Sequence, residues 1–180
     1  CHEHGLKLFV DGARLAYALT SPANDVSMAD LARLSDVFYI GGTKCGTLFG
    51  EAVVIPDGGS IRQFVTQMKQ HGALLAKGRL LGVQFEALFE DGMYSTIGRQ
   101  GVAATKRIRE ALIRAGYVVT MDSPTNLTFV ALDQAGHERL SRKVRYGIWE
   151  TLPDGRLLAR FCTSWGTPEE DVKAFEEALA

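Results

Sequence analysis

A chain of 180 residues with 46% hydrophobic content can bury a substantial core, as one domain or two small ones. A formal net charge of −1, from 20 basic and 21 acidic residues, gives no electrostatic case for binding nucleic acid or an anionic membrane surface. No apolar run approaches membrane-spanning length and the opening residues lack the basic-then-apolar order of a signal peptide, so a soluble, cytoplasmic protein is expected.

In chain order, residues 6–11 form an apolar run expected to be a buried strand closed by Asp11. Residues 13–19 follow as a short helix stopped at Ser21-Pro22. Ser27-Met28-Ala29-Asp30 reads as a capping box opening a helix to about Leu34, and residues 36–40 return as a strand. Gly41-Gly42-Thr43-Lys44 come next, then a third strand at 52–55 closed by Pro56-Asp57-Gly58-Gly59. Strand, helix and strand in this order suggest half of a parallel sheet.

From 61 to 89 the pattern is helical and heavily apolar, with Leu74, Gly78, Leu81, Phe85 and Leu88 at alternating steps of four and three. Gly72, Gly78 and Gly82 weaken such a helix, so close backbone packing is the expected compensation and burial between subunits the expected setting. A second helix at 94–115 has an apolar stripe through Ile97, Ala104, Ile108 and Leu112, with its basic residues on solvated faces and Gly116 as C-cap. Strands are expected near 117–120, 127–132, 146–151 and 157–162, with a helix near 136–144. The turn Leu152-Pro153-Asp154-Gly155-Arg156 joins the last two strands. Thr167-Pro168-Glu169-Glu170 places an N-cap and a first-turn proline at the start of the last helix. The expected division is 1–66, a linking and interface helix over 67–93, and an α+β unit over 94–180.

Cys1, Cys45 and Cys162 are an odd number without metal-ligand spacing, which favours reduced thiols, and Cys45 reads as a small packing residue. His2 and His4 flank Glu3 as a solvated patch, and no metal site is expected.

The chemistry concentrates in Asp11 and Lys44. Each closes a strongly apolar strand pattern, and ligands of parallel α/β sheets bind at the carboxyl ends of strands. An acid, an arginine three residues on and a lysine after a glycine pair are the parts needed to hold pyridoxal phosphate. The lysine bonds to the cofactor aldehyde, and the acid keeps the pyridine nitrogen protonated. The alternative makes Asp11 a helix cap and Lys44 a solvated loop lysine. A nucleotide loop is disfavoured, because Cys45 stands where Ser or Thr would follow the lysine.

The stretches LFVDGARL, DVFYIGGTKCG, MKQHGALLAKGRLLG and LLARFCTSW resemble, in order and through essentially the whole chain, the threonine aldolase group of fold-type-I pyridoxal-phosphate enzymes, in the β-eliminating lyase superfamily. The resemblance implies an α/β fold: the C-terminal part of the family's large domain followed by its small α+β domain. It also implies that the chain is a C-terminal fragment, inactive alone, without the phosphate-binding loop and ring-stacking histidine of longer relatives. Lys44 then corresponds to the Schiff-base lysine, Asp11 to the pyridinium partner and Arg14 to the arginine facing the ring. Thr43 precedes the lysine where many relatives have serine. Arg160 corresponds to the grip on the substrate carboxylate, with Arg156 as rival and Ser164 in place of a usual histidine. Arg62 and Lys69 correspond to cations that reach the cofactor phosphate from a neighbouring subunit.

The implied reaction is retro-aldol cleavage of a threonine-like amino acid to glycine and an aldehyde, in a homodimer or homotetramer. Another β-eliminating lyase or a racemase would share Asp11 and Lys44. A noncatalytic remnant serving as an interaction unit is the alternative outside enzymology.

Overall fold

A computed structural model describes residues Cys1–Ala180, and the chain separates into two units. Cys1–Leu19 and Asn24–Thr96 make the first, Thr20–Ala23 and Ile97–Ala180 the second.

In the first unit, β1 (Phe9–Val10), β2 (Val37–Ile40) and β3 (Ala52–Val54) form a sheet in that order. β1 and β2 run parallel, with Val10 opposite Phe38, whereas β3 returns antiparallel with Tyr39 opposite Val53. The parallel arrangement expected from sequence therefore holds for the first pair only. The connection from Ile40 to Ala52 contains no helix, and a parallel return needs a crossover of that kind. The buried strand expected over 6–11 is also shorter and more open. β1 lies at the sheet edge, leaving Leu6 and Phe9 59% and 60% exposed. Its entry is held by Asp36, whose carboxylate accepts from the Leu8 N–H and the Lys7 ammonium, each at 2.8 Å.

α1 (Leu15–Leu19) and α2 (Met28–Leu34) separate β1 from β2. Ser27 caps α2 as expected, its hydroxyl accepting from the Asp30 N–H while the Asp30 carboxylate accepts from the Ser27 N–H. Leu15, Ala16 and Tyr17 from α1 and Phe38 and Ile40 from β2 are buried. Burial of each large side chain among them contributes roughly 1.5–3 kcal/mol.

The single helix expected over 61–89 is two: α3 (Phe64–Gln70) and α4 (Arg79–Phe89). Gly72 adopts φ +70°, a left-handed conformation that ends a helix. Within this chain, a Cβ at Gly72 or Gly82 would meet no atom within 4 Å. α4 buries Phe85 and Leu88, while Leu74, Leu75 and Leu80 remain exposed. A short turn with left-handed Asp91 and Gly92 separates α4 from α5 (Met93–Arg114).

In the second unit, β4 (Val118–Met121), β5 (Leu127–Leu132), β6 (Gly147–Thr151) and β7 (Leu157–Cys162) form an antiparallel sheet ordered β4-β5-β7-β6. α6 (Gln134–Ser141) and α7 (Glu169–Leu179) complete the unit with α5. The core joins Ile108 and Leu112 of α5, Val130 of β5, Leu140 of α6, Ala159 and Phe161 of β7, and Leu179 of α7. The β6–β7 turn closes with Leu152 N–H donating to Arg156 at 2.8 Å and Gly155 at φ +85°. At the start of α7 the cap differs from expectation: Pro168 occupies the N-cap position, and the Thr167 hydroxyl accepts instead from the Ser164 N–H at 3.0 Å. Arg107 joins α5 to α7 by pairing with Glu169 at 2.7 Å and Glu176 at 2.6 Å. No helix is long and apolar enough to cross a membrane.

Candidate active site

The carboxyl ends of β1 and β2 are tied together, since Gly41 N–H donates to the Gly12 carbonyl at 2.9 Å. The approach is too close for side chains. A Cβ at Gly12 would collide with the Tyr39 carbonyl, and one at Gly41 with the carbonyls of Gly12 and Ala13. Asp11 and Lys44 emerge from these joined ends, both exposed.

Asp11 is oriented through one oxygen. Its Oδ1 accepts from the Ala13 N–H at 3.0 Å and from the Tyr39 hydroxyl, while Oδ2 has no protein partner. The Tyr39 hydroxyl first, then the Ala13 N–H, hold the Asp11 carboxyl below its ordinary range, with Lys44 and Arg14 adding in the same direction. The reciprocal effect pushes the Tyr39 hydroxyl up to about 12, chiefly through the bond to Asp11. The carboxylate is therefore ionised at neutral pH.

The backbone around Lys44 is fixed while its ammonium is not. Gly42 N–H donates to Glu51 Oε2 at 2.5 Å, and the Thr43 hydroxyl donates to Glu51 Oε1 at 2.9 Å. The Gly42 carbonyl accepts from the N–H groups of Cys45 at 2.8 Å and Thr47 at 3.1 Å. The buried Tyr17 hydroxyl donates to the Lys44 carbonyl at 2.6 Å, and that of Tyr94 to the Gly41 carbonyl at 3.1 Å. Cys45 is fully buried, its Sγ 3.9 Å from the Ala13 carbonyl oxygen, and burial pushes its thiol up. That is the environment of a packing residue rather than a nucleophile. Lys44 Nζ makes no ion pair or hydrogen bond.

Arg14 precedes α1, and its Nε is buried without a hydrogen-bond partner. Arg62 lies before α3 and Lys69 in its last turn; both are exposed, and neither side chain has a protein partner.

Arg160 belongs to the second unit, on β7 opposite Phe129 of β5 and Gly147 of β6. Its guanidinium lies 4.7 Å from the centroid of the Trp149 ring and pairs with no carboxylate. Arg156, the sequence-level rival, is engaged by Asp154 at 2.7 Å across the β6–β7 turn. The end of β7 is anchored by Asn126, whose Nδ2 donates to the Thr163 carbonyl at 2.7 Å.

Sequence reasoning singled out Asp11, Thr43 and Lys44 but not Tyr39, Glu51, Tyr17 or Tyr94, which hold them. Glu51 follows Gly50, whose positive φ of +88° marks a turn back toward the lysine loop. That glycine was the one local signal of the return.

The family model described as Beta-eliminating lyase matches residues 1–142. The chain belongs to the beta-eliminating lyase family. Among curated members, it is 28% identical over 178 residues to the low specificity L-threonine aldolases of Pseudomonas sp. (strain NCIMB 10558) and Pseudomonas aeruginosa. Each alignment covers 96% of this chain and 49% of the relative, so the chain spans about half the length of the curated relatives it matches. A solved structure of Leishmania major threonine aldolase superposes with a TM-score of 0.92 and 42% identity, over 99% of this chain and 52% of that one. Serine palmitoyltransferase of Sphingomonas wittichii, at 16% identity and a TM-score of 0.65 over 98% of this chain and 48% of that one, shares the fold. The fold is thus that of the fold-type-I enzymes to which this family belongs.

Proposed function

We propose that this chain contributes the cofactor lysine, the ring-facing carboxylate and the substrate-carboxylate arginine of a lyase that cleaves a β-hydroxy-α-amino acid such as threonine to glycine and an aldehyde. The observation that carries the reading is the emergence of Asp11 and Lys44 from the joined ends of β1 and β2 with their functional atoms uncommitted. Pyridoxal phosphate fits these residues: Asp11 Oδ2 can accept from a ring N–H, Lys44 Nζ can meet an aldehyde, and the buried Arg14 Nε lacks a partner. The threonine aldolase relatives support the substrate class.

Pyridoxal phosphate, when bound, supplies an aldehyde that takes up an amine and a protonated ring that accepts electrons. Asp11, held ionised by Tyr39, would keep a proton on the nitrogen facing it. Lys44 must give up a proton before its amine can act, and the rigid peptide that carries it limits where that amine can reach. Arg160 would grip the two oxygens of the substrate carboxylate and so fix which bond to Cα is presented for cleavage. Thr43 steadies the lysine loop through Glu51. Arg62 and Lys69, without protein partners, stay available to a phosphate in an assembly of two or more copies.

Borohydride reduction of the full-length protein in the presence of pyridoxal phosphate, followed by peptide mapping, tests the assignment. The pyridoxyl group is expected on Lys44, with label and turnover both lost in Lys44→Ala. A label on Lys69 or Lys77 would overturn it.

A further inference from the structure

Arg160 is an uncompensated cation in a sheet. Buried or half-buried guanidinium groups are ordinarily paired, as Arg107 and Arg156 are in this chain. Arg160 instead has an aromatic face as its neighbour. The β6–β7 ladder pairs Gly147 with Arg160 and Ile148 with Ala159, then shifts so that Glu150 pairs with Leu158, leaving Trp149 as the extra residue of a bulge. Bulges re-aim side chains. Gly147, directly opposite Arg160, contributes no side chain, and the space beside the arginine is taken by the Trp149 ring. That ring is itself braced edge-on against the buried Phe129, with centroids 6.1 Å apart at 77°. Phe129 in turn opposes Arg160 across the β5–β7 ladder, so the three side chains form one cluster on one face of the sheet.

We propose that Trp149 is a positioning residue for Arg160: its ring, fixed by the bulge and by Phe129, holds the guanidinium so that its N–H groups are presented to a substrate carboxylate. An aromatic face attracts the cation without supplying a hydrogen-bond acceptor, so it orients the guanidinium while leaving the N–H donors free. A carboxylate in the same place would occupy those donors and compete with the substrate. The inference rests on the assignment of Arg160 made above, and it adds a residue that the sequence did not single out.

The test uses the full-length protein loaded with cofactor. Trp149→Leu is expected to raise KM for threonine about fivefold, the size of a partly exposed cation–π contact, with kcat changed by less than about twofold. Trp149→Phe, which keeps a ring face, should restore most of that affinity. Binding of 2-aminoethanol, an amine without a carboxylate, should be unaffected in both variants, which a merely structural defect would not spare. As a readout independent of turnover, the emission of Trp149, isolated as the difference between wild type and Trp149→Phe, should respond to glycine and lose that response in Arg160→Leu. Trp149 is 57% exposed, so its replacement leaves the core intact. If Arg160→Leu raises KM while Trp149→Leu does not, the role of Trp149 is wrong and the assignment of Arg160 stands. If Arg160→Leu itself leaves KM unchanged, the assignment is wrong and the inference falls with it.

Discussion

Asp11 and Tyr39 form a pair whose two partners sit 28 residues apart and whose titrations move in opposite directions. The Asp11 carboxyl is depressed, so its contribution to stability is present above the unfolded carboxylate value of about 3.9 and is lost as pH falls through the lower native value. The Tyr39 hydroxyl is raised, so its contribution holds below the unfolded value of roughly 10 and is lost as pH rises through about 12. Tyr39→Phe is therefore expected to return the Asp11 carboxyl toward its ordinary range, with carboxyl chemical shifts recorded against pH as the measurement. An unchanged titration would show that the Ala13 N–H, with Lys44 and Arg14, sets it without Tyr39. Under the proposed function, Asp11→Asn in the cofactor-loaded protein should retain some cofactor binding yet lose most turnover, because a neutral ring is a poor electron sink. Near-normal turnover would leave Asp11 as a structural cap.

At the scale of elements, α6 depends on a single side-chain cap. Asp133 accepts from the Gly136 N–H at 2.6 Å, and Asp133→Ala should cost about 1 kcal/mol in urea unfolding, with Asp133→Asn recovering most of it. A loss no larger than that of an exposed surface substitution would refute the cap. Elements with strong local signals were legible in the sequence: the capping box of α2, the limits of β7 and the turn before it all stand where pattern and turn chemistry put them. The break between α3 and α4 was not, because the helical spacing already begins at Leu74 and Gly78, in the non-helical segment that follows the left-handed Gly72. The direction of β3 and the short exposed β1 were hidden for another reason: both depend on which neighbours the sheet supplies. Tyr39, Glu51 and Tyr17 were invisible in the same way, since each acts through a hydrogen bond to a residue that only the fold brings near. Asp11 and Lys44 could be proposed from their places after two apolar strand patterns, strengthened by the motif resemblance, whereas Arg160 rests on the resemblance alone.

For the whole molecule, the open side of β1 is the feature with the widest effect. An edge strand with exposed Phe9, beside exposed Leu6, offers unpaired backbone groups and apolar surface to another chain. The 180-residue chain in isolation is expected to self-associate as its concentration rises, and Phe9→Lys should reduce this by placing a charge on the edge. Sedimentation velocity over a concentration series measures both. A chain that stays monomeric throughout would show that this edge is not sticky enough to matter.

The burial of Cys45 beneath the lysine loop makes the thiol a timekeeper. Cys1 and Cys162 are exposed and should react with a thiol reagent at once, whereas Cys45 can react only during excursions in which the loop lifts away from Tyr17 and Ala13. The slow phase of a thiol-labelling trace then counts those excursions, and anything that clamps Lys44 in place should lengthen the interval between them.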